Sequence, residues 1–481
     1  MVRLKPVSTY LVVWFFTLVV ICGFFIPRLS EKGSFIDGMV YSTISHNMAQ
    51  GIGTFWKPVL KNSEFLFYKG DIFYDHPPLM FGIMSGFYKV FGDHADWIYT
   101  TVVLCLLLMS MWLLLQLFTP DINPGSFAFI PMVLFMTIPE VLQKISYPLL
   151  DFTMAFFTSI AVYFLCKALH DGRRFWLWSF AGGIFVVLAF LTKGPVGLFP
   201  LATPAIYYIV YRKFSTLRKT VFSTSIILGV LIIAFGIFYS HVPSRMFFSE
   251  YLDHQVLASI KGEREKTGTL LNHLSIGIKL LTQMIPMMVI TLVFYLLAHK
   301  WNKGQKVCIE KPVYLFMGIG LAASLPIAIS AKHHTFYLIP GLVFFTLMCS
   351  YYISRQIPGA WYSVRHKVNT LLVCCLMAAL AAILVISFGR ERKYYHTHAS
   401  FLQQMEEMAP WLSETKCLGI NKDVMLRRGD ICCYMERYFL IELEVYPSTC
   451  TYYLMSKQDD HAPVKANLMV QTADFSLYQL P

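Results

Sequence analysis

Apolar stretches of about 20 residues, the length that crosses a hydrocarbon core as a helix, recur along this chain with short polar connections between them. They run near 9 to 26, 97 to 118, 126 to 143, 148 to 166, 175 to 192, 195 to 211, 219 to 240, 272 to 298, 312 to 331, 334 to 354 and 368 to 388. This pattern predicts an all-α polytopic membrane protein with eleven or more transmembrane helices. Hydrophobic residues make up 56% of the 481 and charged residues 14%, which excludes a nucleic-acid binder, a disordered scaffold and a cytosolic enzyme. A transporter, a channel or a membrane-embedded enzyme is left. Pro131 and Pro139 interrupt the third stretch, so it is expected to be short or tilted. The first ends on bulky residues without a small-residue cleavage site and reads as a retained anchor.

The formal charge of +12 is asymmetric. With the N-terminus inside, the connections 1 to 8, 167 to 174, 212 to 219, 299 to 311 and 355 to 367 face the cytoplasm and carry 16 basic residues against two acids, Asp171 and Glu310. The inner loop 119 to 125 adds only Asp121. The long segments then fall outside: loop 27 to 96, loop 241 to 271, and the tail from 389 onward. These define two predicted domains, a transmembrane domain over 1–388 whose outer loop 27–96 carries surface helices, and a C-terminal periplasmic domain over 389–481.

Aromatic and β-branched runs in the tail, such as CCYMERYFLIELEVY, predict a small α/β or β-rich domain, taken here as α/β, that is marginal in size on its own. Cys417, Cys432, Cys433 and Cys450 lie there, where disulfides can form, and their pairing is open. No internal repeat, P-loop or paired CxxC is present.

In so apolar a chain the informative groups are ionisable ones at helix ends on one side of the membrane. Asp37 opens a short helix expected to end near Gly51 or Gly53, and Val40, Ile44 and Met48 give it an apolar stripe that fits a membrane-surface helix. Taken alone, Asp37 reads equally well as that helix's N-cap. Asp75 and His76 precede Pro77-Pro78, which hold them extended ahead of a second surface helix over 79 to 92. Asp151 follows Tyr147-Pro148 at the head of a span, Lys193 sits in a Leu-Thr-Lys-Gly-Pro turn, and Lys332, His333 and His334 precede Thr335 to Pro340. For each alone a snorkelling or solvated side chain is the commoner reading. Five separate elements delivering acid, amine or imidazole to one face point to a site. Two carboxylates among cations suit a reaction in which a base takes an acceptor proton while positive charge stabilises a departing phosphate.

The order D-G-x-x-Y, D-H-P-P-L, L-D at a helix head, L-T-K-G-P and K-H-H-x-x-Y-L-x-P resembles the polyprenyl-phosphate-dependent GT-C glycosyltransferases over residues 1 to 355. The pattern is most similar to the bacterial lipid A aminoarabinose transferases and the protein O-mannosyltransferase superfamily. The resemblance implies an inverting transferase of the bacterial inner membrane with a periplasmic active site. It would move one sugar from a polyprenyl phosphate, undecaprenyl phosphate in bacteria, to lipid A, lipopolysaccharide or protein.

By the same resemblance Asp37 is the catalytic base and Asp151 a second acid near the donor. Lys193, Asp75, His76, Tyr337, His333 and His334 line the donor phosphate or sugar. His76 stands where the aminoarabinose transferases have lysine, and Asp75 replaces their glutamate, whereas the mannosyltransferase side uses H-P-P-L. Relatives place an arginine in the loop matching 241 to 271. Arg245, Lys261, Arg264 and Lys266 are available here, and Arg264 is the favoured match. Some relatives hold a divalent metal ion near the acidic site, for which Asp37 and a histidine would be the ligands. Two readings compete: an oligosaccharyltransferase or glycan ligase, and a lipid flippase or secondary transporter. The latter would favour repeated halves and midplane charges.

Overall fold

The computed structural model describes residues 35–66, 70–120, 129–171, 174–257, 270–301, 309–329, 334–356, 401–413, 415–457 and 465–481. The predicted spans 9 to 26 and 368 to 388, together with Asp121, Lys261, Arg264, Lys266, Lys332 and His333, lie outside them. In chain order the helices are α1 (Ile36–Ala49), α2 (Leu79–Phe91), α3 (Ala95–Phe118), α4 (Phe129–Met136), α5 (Pro139–Lys144), α6 (Leu150–Asp171), α7 (Phe175–Lys193) and α8 (Thr203–Tyr211). They continue as α9 (Phe214–Ser240), α10 (Val242–Tyr251), α11 (Leu270–Trp301), α12 (Lys311–Ser324), α13 (Ile339–Gln356), α14 (401–412), α15 (Lys422–Arg427) and α16 (Gly429–Phe439). The described residues divide into two compact units, one drawn from 74–80 and 100–356, the other from 35–73, 81–99 and 401–481.

The first unit is helical. Among the described residues seven helical stretches are long and apolar enough to cross a membrane: Leu79–Phe118, Leu150–His170, Phe175–Tyr211, Thr216–Ser240, Ser275–Leu297, Lys311–Ala328 and Thr335–Gln356. They belong to a multi-pass membrane protein, as the apolar pattern predicts. Two predicted spans are built differently. The stretch 126 to 143 is two short helices, α4 and α5, because Pro139 has no N–H to continue α4 and holds Ile138 extended (ψ 121°), so a new helix starts at the proline. The stretch 195 to 211 begins as a 3-10 helix over Gly194–Ala202, with Pro200 inside it, before α8.

Helices α6 and α7 form the centre of this unit, and small residues let their backbones approach. A Cβ at Gly182 would lie 2.6 Å from Leu165 on α6, and one at Gly183 would lie 3.1 Å from Val230 on α9. Buried hydroxyl pairs join neighbours: Ser110 to Ser159 at 2.5 Å and Ser179 to Ser223 at 3.0 Å. Helices α9 and α11 turn Ile232, Ile233, Ile278 and Leu281 outward as exposed apolar faces, which suits lipid and not water.

The second unit carries a five-stranded sheet of β3 (Cys417–Ile420), β4 (Glu442–Val445), β5 (Tyr452–Ser456), β6 (Asn467–Gln471) and β7 (Phe475–Gln479), after a hairpin of β1 (Gly53–Thr54) and β2 (Lys57–Pro58). The sheet order is β4-β3-β5-β7-β6, with β3 parallel to both β4 and β5 and the pairs β5–β7 and β7–β6 antiparallel. A small α/β element at the C-terminus is therefore present. Cys417 and Cys450 form a disulfide that ties β3 to the approach of β5, whereas Cys432 and Cys433 are free thiols buried on α16.

Helix α1 departs from its expected form. Phe35, not Asp37, is its N-cap residue, and Asp37 lies in the first turn, where its charge complements the helix dipole. Val40 and Ile44 are buried as the stripe requires, but so are Ser42, Thr43, Ser45 and Asn47, because α16 packs along the polar side.

Candidate active site

Within the helical unit the site forms where α6 begins and α7 ends. Pro148 stops the preceding turn, and α6 starts at Leu150 with Asp151 in its first turn. Lys193 is the last residue of α7, an antiparallel neighbour of α6, so acid and amine sit at helix ends of matching polarity. The Lys193 ammonium donates to Asp151 Oδ1 at 2.5 Å, with side chains 7% and 2% exposed. So deep an ion pair is tolerated because each charge compensates the other.

Two aromatic rings extend this pair. Lys193 Nζ lies 4.1 Å from the Tyr337 ring centre and 5.5 Å from that of Phe336, both on the 3-10 turn Thr335–Leu338 ahead of α13. Exposed His334 stacks on Phe336 at 5.2 Å and meets Tyr337 edge-on at 5.4 Å. Asp151, Lys193, Tyr337 and His334, drawn from three separate parts of the sequence, are thus brought together.

The turn after Lys193 has its own requirement. Gly194 adopts φ 75° and ψ −146°, a region essentially reserved for glycine, and a Cβ there would overlap the Tyr251 hydroxyl. Tyr251, at the end of α10, is buried; burial and then the charge of Asp75 raise its phenol pKa. Tyr74 packs its ring on Phe247 of α10 at 5.6 Å. The Tyr74-Asp75 segment therefore lies along α10, and α10 lies against the Lys193-Gly194 turn. His76 follows, half-buried, just before α2.

Glu140 and Tyr251 are additions that sequence reasoning missed. Glu140 on α5 is 8% exposed, and its N–H donates to Gln283 on α11 at 2.7 Å. Helix α5 packs against the Thr335–Leu338 turn that carries Tyr337. An acid within a predicted span was the signal available for Glu140. Tyr251 offered none. Arg245, an alternative cation, is exposed and lies over Tyr239 at 5.5 Å. Asp37 belongs to the other unit, half-buried on α1.

Residues 75–242, which include Asp75, Asp151, Lys193 and Gly194, match the family described as dolichyl-phosphate-mannose-protein mannosyltransferase. This segment therefore carries the signature of a glycosyltransferase family. The fold is that of ArnT from Cupriavidus metallidurans. The structure of ArnT bound to undecaprenyl phosphate is similar with a TM-score of 0.65 at 14% identity, covering 98% of each chain. Its apo state is similar with a TM-score of 0.62 at 13% identity, covering 97% of each chain. No curated protein matches the sequence.

Proposed function

We propose that this protein is an inverting membrane glycosyltransferase that moves a single sugar from a polyprenyl-phosphate donor to an acceptor at the outer face of a bacterial inner membrane. The observation that carries this reading is the buried Asp151–Lys193 pair beside Tyr337, inside the segment that matches the mannosyltransferase family. The undecaprenyl phosphate bound by the similar ArnT structure supports the donor class.

In the proposed reaction an acceptor hydroxyl or amine loses its proton to Asp37 as its oxygen or nitrogen bonds to the anomeric carbon. The bond from that carbon to the phosphate oxygen breaks, and polyprenyl phosphate leaves with the electron pair. One displacement inverts the anomeric centre. Lys193 supplies positive charge toward the departing phosphate, and Asp151 holds that amine in place, so little reorganisation is needed when charge develops. His76, His333, His334, Arg264 and Tyr337 would complete the phosphate and sugar contacts, with Asp75 orienting its neighbours. In this reading residues 1–388 perform the transfer and 389–481 contribute on the outer side, where lipid A, lipopolysaccharide or protein would be the acceptor.

The test is to reconstitute the purified chain in liposomes with undecaprenyl-phosphate mannose and undecaprenyl-phosphate aminoarabinose, each labelled in the sugar, together with a bacterial outer-membrane lipid extract and protein. Label passing to an acceptor with release of undecaprenyl phosphate is expected. Lipid or solute translocation without sugar transfer would instead identify a flippase or transporter, and transfer of preassembled glycans alone would identify a ligase.

A further inference from the structure

We infer that Arg437 and Glu436, adjacent on α16, are positioning residues that hold the Asp37-bearing helix α1 for the transfer reaction. The inference rests on the reading of Asp37 as the base. Helix α1 is attached to the rest of its unit by polar side chains. Near its N-terminal half, Ser42 donates to Asp96 Oδ1 at 2.9 Å, and Tyr88 donates to the same oxygen at 2.5 Å. The other oxygen of Asp96 pairs with Arg437 at 2.5 Å. The Arg437 guanidinium is almost wholly buried, between the rings of Tyr438 at 4.9 Å and Tyr88 at 5.4 Å. Burial opposes its charge, but Asp96 together with Tyr88 and Tyr438 holds the pKa above the ordinary arginine value.

A second anchor lies at the C-terminal half of α1. Glu436 Oε1 accepts from Asn47 Nδ2 at 2.5 Å and from the Lys61 N–H at 2.8 Å, while Oε2 accepts from the Asn62 N–H at 2.9 Å. Asn62 in turn donates to the carbonyls of Cys432 and Ile441 and accepts from the Leu443 N–H, which binds the loop after β2 to both ends of α16 and to β4. Between the two anchors Thr43 donates to the Cys433 carbonyl at 3.3 Å.

Apolar packing would hold two helices together as well or better, because a buried ion pair is often no more stabilising than hydrophobic residues of the same volume. What directional bonds at Ser42, Thr43 and Asn47 add is a fixed rotation and register. Rotating α1 by one residue, about 100°, would break all three. The first turn, and with it Asp37, is thereby aimed from α16.

The experiment is a double-mutant comparison in the full chain, reconstituted in lipid nanodiscs, using whichever of undecaprenyl-phosphate mannose and undecaprenyl-phosphate aminoarabinose turns over faster. Arg437→Met and Glu436→Gln are each expected to lower kcat about 30-fold with the donor KM changed less than about 2-fold, since misplacing a reacting group by about 1 Å costs on this order. In an Asp37→Asn background the same substitutions should change the residual rate less than about 2-fold, because the group they aim is gone. Equal losses in both backgrounds, or losses carried by KM, would overturn the inference and leave a purely structural role. If Arg437→Met does not fold, Tyr88→Phe removes one hydrogen bond from Asp96 and keeps the ion pair; a kcat loss of about 3-fold that vanishes with Asp37→Asn is expected. Wild-type kcat in Asp37→Asn alone, or no turnover of either donor by the unaltered protein, would sink the reading of the base and this inference with it.

Discussion

The Lys193 ammonium lies 2.5 Å from Asp151 Oδ1 at a point where neither side chain reaches solvent appreciably. Removing either partner strands the other charge in a low-dielectric interior. Asp151→Asn or Lys193→Met should each destabilise the protein by about 3–5 kcal/mol, whereas the double substitution should cost less than either single change. Thermal unfolding of the three detergent-solubilised variants measures this. A double variant as unstable as the sum of the singles would show that the two groups do not compensate each other.

Gly194 is required twice, by its backbone angles and by the Tyr251 hydroxyl that fills the space a side chain would take. Gly194→Ala should lower stability by about 2–4 kcal/mol, combining backbone strain with overpacking. Adding Tyr251→Phe should return part of the overpacking, since the Tyr251 ring carbon would still lie 2.8 Å from the new Cβ, and leave the strain. Melting temperatures of the single and double variants report the split. No recovery in the double variant would mean that the hydroxyl is not what opposes the new methyl group.

His46 on α1 gives the second unit a pH dependence. Burial, then the Arg437 charge, lowers its pKa from the ordinary 6.5, with Asp93 and Asp96 opposing. The native state therefore binds fewer protons than the unfolded chain, so the stability His46 contributes is present above about pH 6.5 and is lost as the pH falls through that value toward its lowered pKa. His46→Phe keeps the edge-on contact with the Tyr88 ring, seen at 5.3 Å, and cannot titrate. Unfolding measured between about pH 7.5 and about pH 5.5 should show a shallower acid loss in this variant. Identical slopes would contradict the assignment.

The Cys417–Cys450 disulfide closes a separation of 33 residues around α15 and α16. In the chain-entropy account such a loop contributes about 3–4 kcal/mol. Cys417→Ala together with Cys450→Ala should lower the stability of the sheet element by this order, read by hydrogen exchange of β3 and β5. Unchanged exchange would show that the sheet and α16 suffice without the cross-link.

Much of the helical unit is legible in the sequence because spans are local: apolar length defines α3, α6, α7, α9 and α11 without knowledge of their neighbours. Local information also places Asp151 and Lys193 on one side, since two consecutive antiparallel spans put the head of one beside the end of the other, but their direct ion pair is a finding of the structure. Glu140 is legible only as an acid inside the apolar stretch 126 to 143; that Pro139 begins a separate helix there, and carries Glu140 in its first turn, is not. Tyr251 and the anchors of α1 were beyond sequence reasoning for a different reason. Asn47 and Glu436 are 389 residues apart, and no periodicity connects them. Asp37 shows the limit on the local side: an acid near a helix start suggests a cap, yet the chain places Phe35 there and Asp37 two residues on, within the first turn.

Transfer of labelled sugar from undecaprenyl phosphate to an acceptor, compared between the unaltered protein and Asp37→Asn, tests the central claim most directly. Loss of a catalytic base is expected to lower kcat by about 100-fold or more while the protein still binds undecaprenyl phosphate. Full transfer by Asp37→Asn would contradict the assignment of the base, and the absence of any sugar transfer by the unaltered protein would contradict the enzyme itself.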